Sequence, residues 1–150
     1  MTLPKWFVLA VLAVSVLAAE TPPAPDPGAP TAIRLFSDAE EAWISSDAER
    51  LASLVDTTSV RVALKPGSPL TSAITRVAAA FLLQDQLRLV HTTKFQVTRF
   101  DCDKKRGFCR ATALWTGDWG GRQGTRPVRV TLTARPRAGR WLLTEIRAED

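Results

Sequence analysis

The stretch Phe100-Asp101-Cys102-Asp103-Lys104-Lys105-Arg106-Gly107-Phe108-Cys109-Arg110-Ala111 decides how this chain folds. Two alternating, partly apolar arms flank a polar tetrapeptide that ends in glycine. If Cys102 faces Cys109, the turn is Lys104-Lys105-Arg106-Gly107, and Gly107 is free to take positive φ. The same register sets Asp101 against Arg110, Phe100 against Ala111 and Thr98 against Ala113. The hairpin also places the chain's two cysteines side by side. In an oxidising compartment that arrangement gives a disulfide. One histidine and one thiol pair do not make a zinc site, and the spacing is wider than a redox Cys-x-x-Cys.

C-terminal to this hairpin, strand patterns continue. A glycine-rich connection, 117–125, leads to Val128–Ala134, and Trp141–Arg147 closes the chain. A three-residue loop, Arg137-Ala138-Gly139, would set Ala134 against Leu142, Leu132 against Thr144 and Val130 against Ile146, keeping apolar residues on one face. A two-residue loop would put valines opposite Glu145 and Arg147. N-terminal to the hairpin, Leu87–Thr93 alternates as a further strand, which turns His91 to the side of Leu87 and Leu89.

Helices come earlier. Ser37-Asp38-Ala39-Glu40 has the capping-box form. Trp43, Ile44, Ala48, Leu51, Leu54 and Val55 then recur at helical steps, predicting a helix over 37–55. Val60–Leu64 reads as a short strand. Ser68-Pro69 reads as the N-cap and first residue of a second helix, with Leu70, Ile74, Val77, Ala78, Phe81 and Leu82 buried and an end near Asp85. Helices first and strands later argue for an α+β fold: N-terminal helices packed on a strongly bent, cone-like antiparallel sheet.

Residues 1–19 carry one cation, Lys5, then the apolar run Trp6–Val14 and the small residues Ala18 and Ala19. That run is shorter than a bilayer-spanning helix needs, so it reads as a signal peptide, with an uncleaved anchor as the alternative. Residues 20–32 hold five prolines and read as an extended spacer. One domain, 33–150, follows, and the protein is expected to be exported, to the periplasm or beyond. The formal net charge is +5, which favours acidic partners over long range.

The order of elements, with a helix opening after Gly67-Ser68-Pro69 and a long bent sheet, resembles the nuclear transport factor 2-like superfamily, the cystatin-like α+β cone. The closing segment Gly139–Asp150 is similar to the ending of small uncharacterised exported bacterial members. The resemblance spans roughly residues 33–150 and rests on hydrophobic and turn patterns. It implies a cone, often with an open pocket, and a homodimer through the outer sheet face. It does not fix an activity, because the superfamily includes isomerases, dehydratases, carriers and interaction modules. Isomerase-type members use an acidic base and often a tyrosine donor. This chain has no tyrosine, and the inward strand positions are mostly Val, Leu, Ala and Phe.

No catalytic residue, cofactor or metal site is therefore expected. The reading is a non-catalytic binding or interaction protein, holding a small apolar ligand in the cone or docking a protein through the sheet. The expected ligand pocket comprises His91, Trp115, Trp119 and Arg122. One alternative makes His91 the general base of a small isomerase or dehydratase, paired with Asp85 or Asp56. Another makes the arginine-rich sheet face, Arg129, Arg135 and Arg147, an electrostatic binder of an acidic envelope polymer. The glycine-rich connection lacks the lysine and strand-to-helix setting of a phosphate loop. Neither nucleotide nor nucleic-acid binding is expected, and membrane contact is expected only through an uncleaved leader.

Overall fold

A computed structural model describes residues 29–150. The expected leader and spacer residues 20–28 lie outside the described residues. Three helices precede the main sheet: α1 (Ala29–Ile44), α2 (Ala48–Ser53) and α3 (Arg76–Leu89), with the short strand β1 (Arg61–Ala63) before α3. Four long strands complete the domain: β2 (His91–Asp103), β3 (Phe108–Asp118), β4 (Thr125–Arg137) and β5 (Arg140–Glu149). The sheet order is β1-β5-β4-β3-β2. It is mixed, because β1 runs parallel to β5 while the other pairs are antiparallel. The fold is α+β, as expected, and the sheet is open at both edges.

The first helix starts earlier than its capping box suggests. Ala32, Leu35, Phe36, Ala39, Ala42 and Trp43 are all buried at helical spacing, so the apolar stripe begins before Ser37. Residues 29–32, read as spacer, are helical. Pro30 falls in the first turn, where its missing amide costs nothing. Glu40 does not reach back to an N-cap; its Oε2 accepts from the Val97 amide of β2 at 2.8 Å. Nor is 37–55 one helix. The chain turns at Ser46, whose φ is 52°, and Asp47 caps α2 by accepting from the Arg50 amide at 2.9 Å.

The second helix starts later than expected. Ser68 donates to the Lys65 carbonyl at 2.6 Å, closing a turn rather than capping a helix. The segment behind it is tied to β1: Thr71 N donates to Val62 O at 3.0 Å, and Val60 and Ile74 exchange backbone bonds at 3.0 and 2.9 Å. Those bonds hold it extended, and Thr75 becomes the N-cap of α3. The buried face of α3 is Ala79, Leu83, Gln86 and Leu87. Val77 and Phe81, expected inside, are 67% and 64% exposed. Apolar residues occur all round this helix, so periodicity alone could not orient it.

In the first hairpin the cysteine register holds, with Asp103 opposite Phe108, Asp101 opposite Arg110 and Phe100 opposite Ala111. A bulge at Thr98 then makes Val97, not Thr98, the partner of Ala113. The β4–β5 hairpin departs further. Its loop has two residues, Ala138-Gly139, with Arg137 opposite Arg140. A bulge at Thr144 absorbs the parity error that argued against this loop, setting Leu132 against Ile146 and Val130 against Ala148. Leu143 and Ile146, an odd number of residues apart, are thus both fully buried.

The core lies between α1 and the inner sheet face. Trp43 stacks on Phe95 with ring centroids 4.5 Å apart and meets Trp115 edge-on at 5.0 Å. Small residues around them, Ala39, Ala42, Ala111 and Ala113, are all fully buried and let the helix approach the strands. At the end of β3, Gly117 sits under the α3–β2 junction. A Cβ there would lie 2.8 Å from Val90 Cγ1 and 2.9 Å from the His91 carbonyl oxygen.

Chemical denaturation tests these placements. Leu83→Ala is expected to cost about 2–5 kcal/mol, as for a buried leucine, whereas Phe81→Ser should change stability by less than about 0.5 kcal/mol. Gly117→Ala is expected to cost about 1–3 kcal/mol through overpacking against backbone.

Candidate functional site

The expected pocket residues do not converge. Trp115 is fully buried in the filled interior, its Nε1 donating to Thr92 Oγ1 at 2.9 Å. It offers no ligand-facing surface. His91 is exposed at the start of β2, opposite Asp118. Helix α3 continues to Leu89, so Leu87 and Leu89 are not strand neighbours of His91, and Val90 takes the inward position at 1% exposure. Of the carboxylates considered with it, Asp85 is exposed on α3. Asp56 is buried and held by Arg137, whose Nε is 2.9 Å from Oδ2. No His91-centred set is assembled. Among the described residues there is also no group of three or more His, Cys, Asp or Glu suited to a metal.

Trp119 and Arg122 also separate. Trp119 folds back over Trp115 with centroids 4.9 Å apart, and its amide donates to the Gly124 carbonyl at 2.9 Å, closing the loop. Arg122 lies exposed on that turn. The cation that meets Trp119 is Arg126, whose guanidinium carbon lies 5.5 Å from the ring centroid. The loop reverses between them, and the cue for that reversal was the positive-φ glycines at 120, 121 and 124.

On the outer sheet face the expected arginines have different fates. Arg147 lies 3.5 Å from Glu145 and 3.8 Å from Glu149, so its charge is balanced locally. Arg129 is exposed beside Leu114, itself 44% exposed. Arg135 sits opposite Leu142 on β5. It lies over Phe108 at 5.2 Å, with Arg110 over the same ring at 5.1 Å.

This gathers cations at one place. Lys104, Lys105 and Arg106 form the β2–β3 turn, and Arg110 and Arg135 flank Phe108 directly behind it. The knuckle is rigidly built. Cys102 and Cys109 are disulfide-bonded at its base. Asp103 Oδ1 accepts from the Lys105 and Arg106 amides at 3.1 and 3.0 Å, an Asx-type turn. Gly107 takes φ 69° and donates to the Asp103 carbonyl at 2.9 Å. Arg135 Nη1 donates to the Arg106 carbonyl at 3.0 Å, fastening the turn to β4. Of the two nearby carboxylates, Asp103 Oδ2 lies 3.8 Å from Arg106 Nε and Asp101 sits opposite Arg110; an excess of positive charge remains on Lys104, Lys105 and Arg135, and the turn itself is exposed.

Neither a family model nor a curated protein matches the chain. Solved structures do. A protein with a cystatin-like fold from Caulobacter vibrioides superposes with a TM-score of 0.65 at 17% identity, covering 83% of this chain and 89% of its own. A DUF4783 family protein from Bacteroides ovatus gives 0.63 at 12% identity, over 76% of this chain and 93% of that one. A protein with a ketosteroid isomerase-like fold from Catenulispora acidiphila, in complex with trimethylamine, gives 0.60 at 11% identity, over 77% and 84%. At such identities the likeness concerns the fold: this chain has the nuclear transport factor 2-like, cystatin-like architecture. That fold is shared by enzymes and non-enzymes and assigns no activity.

Reducing the Cys102–Cys109 bond opens a short loop, with a sequence separation of 7. Loop-closure entropy puts the loss at about 2 kcal/mol. Denaturation with and without dithiothreitol is expected to show that difference, and Cys102→Ser/Cys109→Ser should abolish it.

Proposed function

We propose that this chain is a non-catalytic binding protein of an oxidising compartment outside the cytoplasm, docking an acidic polysaccharide through the disulfide-stapled knuckle. The observation that carries the reading is the cation cluster Lys104, Lys105, Arg106, Arg110 and Arg135 on a rigid, exposed turn. A turn already fixed by a disulfide and side-chain bonds loses little freedom on binding, which favours affinity. Guanidinium groups forming the knuckle suit carboxylates through paired, charge-assisted hydrogen bonds. The net charge of +5 steers a polyanion toward the protein. The disulfide favours a polymer of oxidising compartments over cytoplasmic nucleic acid.

The side-chain-filled interior supports a surface function over an apolar ligand in the cone, and the scattered positions of His91, Asp56 and Asp85 give no support to acid–base catalysis.

Binding to immobilised polygalacturonate, with neutral dextran as control, tests the reading. Affinity should fall steeply between about 0.05 and about 0.5 M salt, because exposed charges are screened. The Lys104→Ala/Lys105→Ala/Arg106→Ala variant should bind about tenfold more weakly, at roughly 0.5 kcal/mol per exposed pair. Arg147→Ala, at an already balanced site, should bind nearly as the parent does. Salt-independent binding, an unaffected triple variant, or equally tight binding of double-stranded DNA would each defeat the proposal.

A further inference from the structure

A second concave site lies at the end of the sheet remote from the knuckle. There the Trp119 loop, the last turn of α3 and the β1–α3 connection line an open-sided pocket of about 350 Å³. Its size falls at the small end of ligand sites. Lys65 reaches it from the connection and Arg126 from β4, so two cations border one concavity. Among the described residues Arg126 pairs with Asp150, at 2.8 Å between Nη1 and Oδ1; that aspartate side chain is 65% exposed. The remaining wall is apolar or amide. Trp119 and Leu89 supply carbon surface, and Gln86 lines the pocket although only 6% exposed.

Among the described residues, Trp119 Nε1 and Arg126 Nε are out of solvent contact and have no hydrogen-bond acceptor, as is also true of Trp43 Nε1, Trp141 Nε1 and Arg147 Nε elsewhere in the domain. Buried donors are ordinarily satisfied, and these two differ from the other three in lying on adjacent side chains that line one pocket. Cations and N–H donors beside an aromatic wall recognise a carboxylate joined to an apolar body. Asp150, exposed and held only at Nη1, marks the place where such a carboxylate would exchange onto the guanidinium.

We infer that this pocket binds a small organic carboxylate with an aromatic or short aliphatic body, the anion held by Arg126 and Lys65 and the body laid against Trp119 and Leu89. The site is separate from the polysaccharide knuckle and does not depend on it.

Titration of ¹⁵N-labelled protein with phenylacetate tests the inference through the Trp119 indole N–H resonance, assigned with Trp119→Phe. Phenylacetate at about 1 mM, the weak end of specific recognition, should shift that resonance. Neutral phenylacetamide should need at least about ten times more, since an uncharged analogue leaves the cations unmatched. Arg126→Gln should weaken phenylacetate binding about tenfold and Lys65→Gln several-fold, as expected for loss of partly exposed charge contacts. The Trp43 indole resonance, deep in the core, reports that each variant is folded; if Arg126→Gln unfolds, Lys65→Gln carries the test. The triple knuckle variant should bind phenylacetate as the parent does. No shift of Trp119 with phenylacetate, equal binding of the amide, or inorganic phosphate binding as tightly as phenylacetate would overturn it.

Discussion

Everything in this molecule is arranged around one stack of rings. Trp43 of α1 lies flat on Phe95 of β2, and Trp115 of β3 meets it edge-on. Aromatic pairs at these separations add roughly 0.5–1.5 kcal/mol each beyond the area they bury. Three large side chains in that space also decide what the fold can hold. A curved sheet over a helix could enclose a cavity, but here the helix brings an indole into it. Ala111 and Ala113 on β3, with Ala39 and Ala42 on α1, let the backbones close on the rings. The interior is thereby occupied by rings, and cations gather instead at the two ends of the sheet.

The stack also explains which parts of the fold were legible in the sequence. The first hairpin could be registered because three independent local features agreed on it: a cysteine pair, a glycine for positive φ, and matched apolar arms. The α+β order followed from a change of hydrophobic period along the chain. What escaped prediction depends on contacts distant in sequence. Pro30 looks like a breaker, yet the extra turns of α1 place Ala32 and Leu35 on the sheet. Glu40 looks like half of a capping box until β2, far along the chain, offers the Val97 amide at 2.8 Å. Helix α3 could have buried either of two faces, and packing against α2 and the sheet selected Leu83 over Phe81.

The candidate sites were legible to different degrees for the same reason. Trp119 stood out as a large aromatic in a glycine-rich loop, and it does border a pocket. Its cationic neighbour was misassigned, because linear proximity favours Arg122 while the loop's reversal delivers Arg126. His91 was placed on the wrong side because Leu87 and Leu89 alternate like strand residues although they end a helix. The bulges at Thr93, Thr98 and Thr144 each reverse the facing of one stretch. A period-two argument carries no information about where such a reversal falls.

Strand β3 connects the two ends of the sheet, from Phe108 at the knuckle to Asp118 beside the pocket loop. At about 3.3 Å per residue this separates them by roughly 30 Å, several times the screening length of about 8 Å at physiological ionic strength. Direct electrostatic coupling between knuckle and pocket is therefore negligible. Mechanical coupling would have to pass along β3 through Trp115, which is fully buried and wedged between Trp43 and Trp119. Allosteric transmission needs an element with two discrete arrangements, and the close packing of these rings disfavours a second one. The two proposed anion sites would therefore act independently, held apart by the aromatic core.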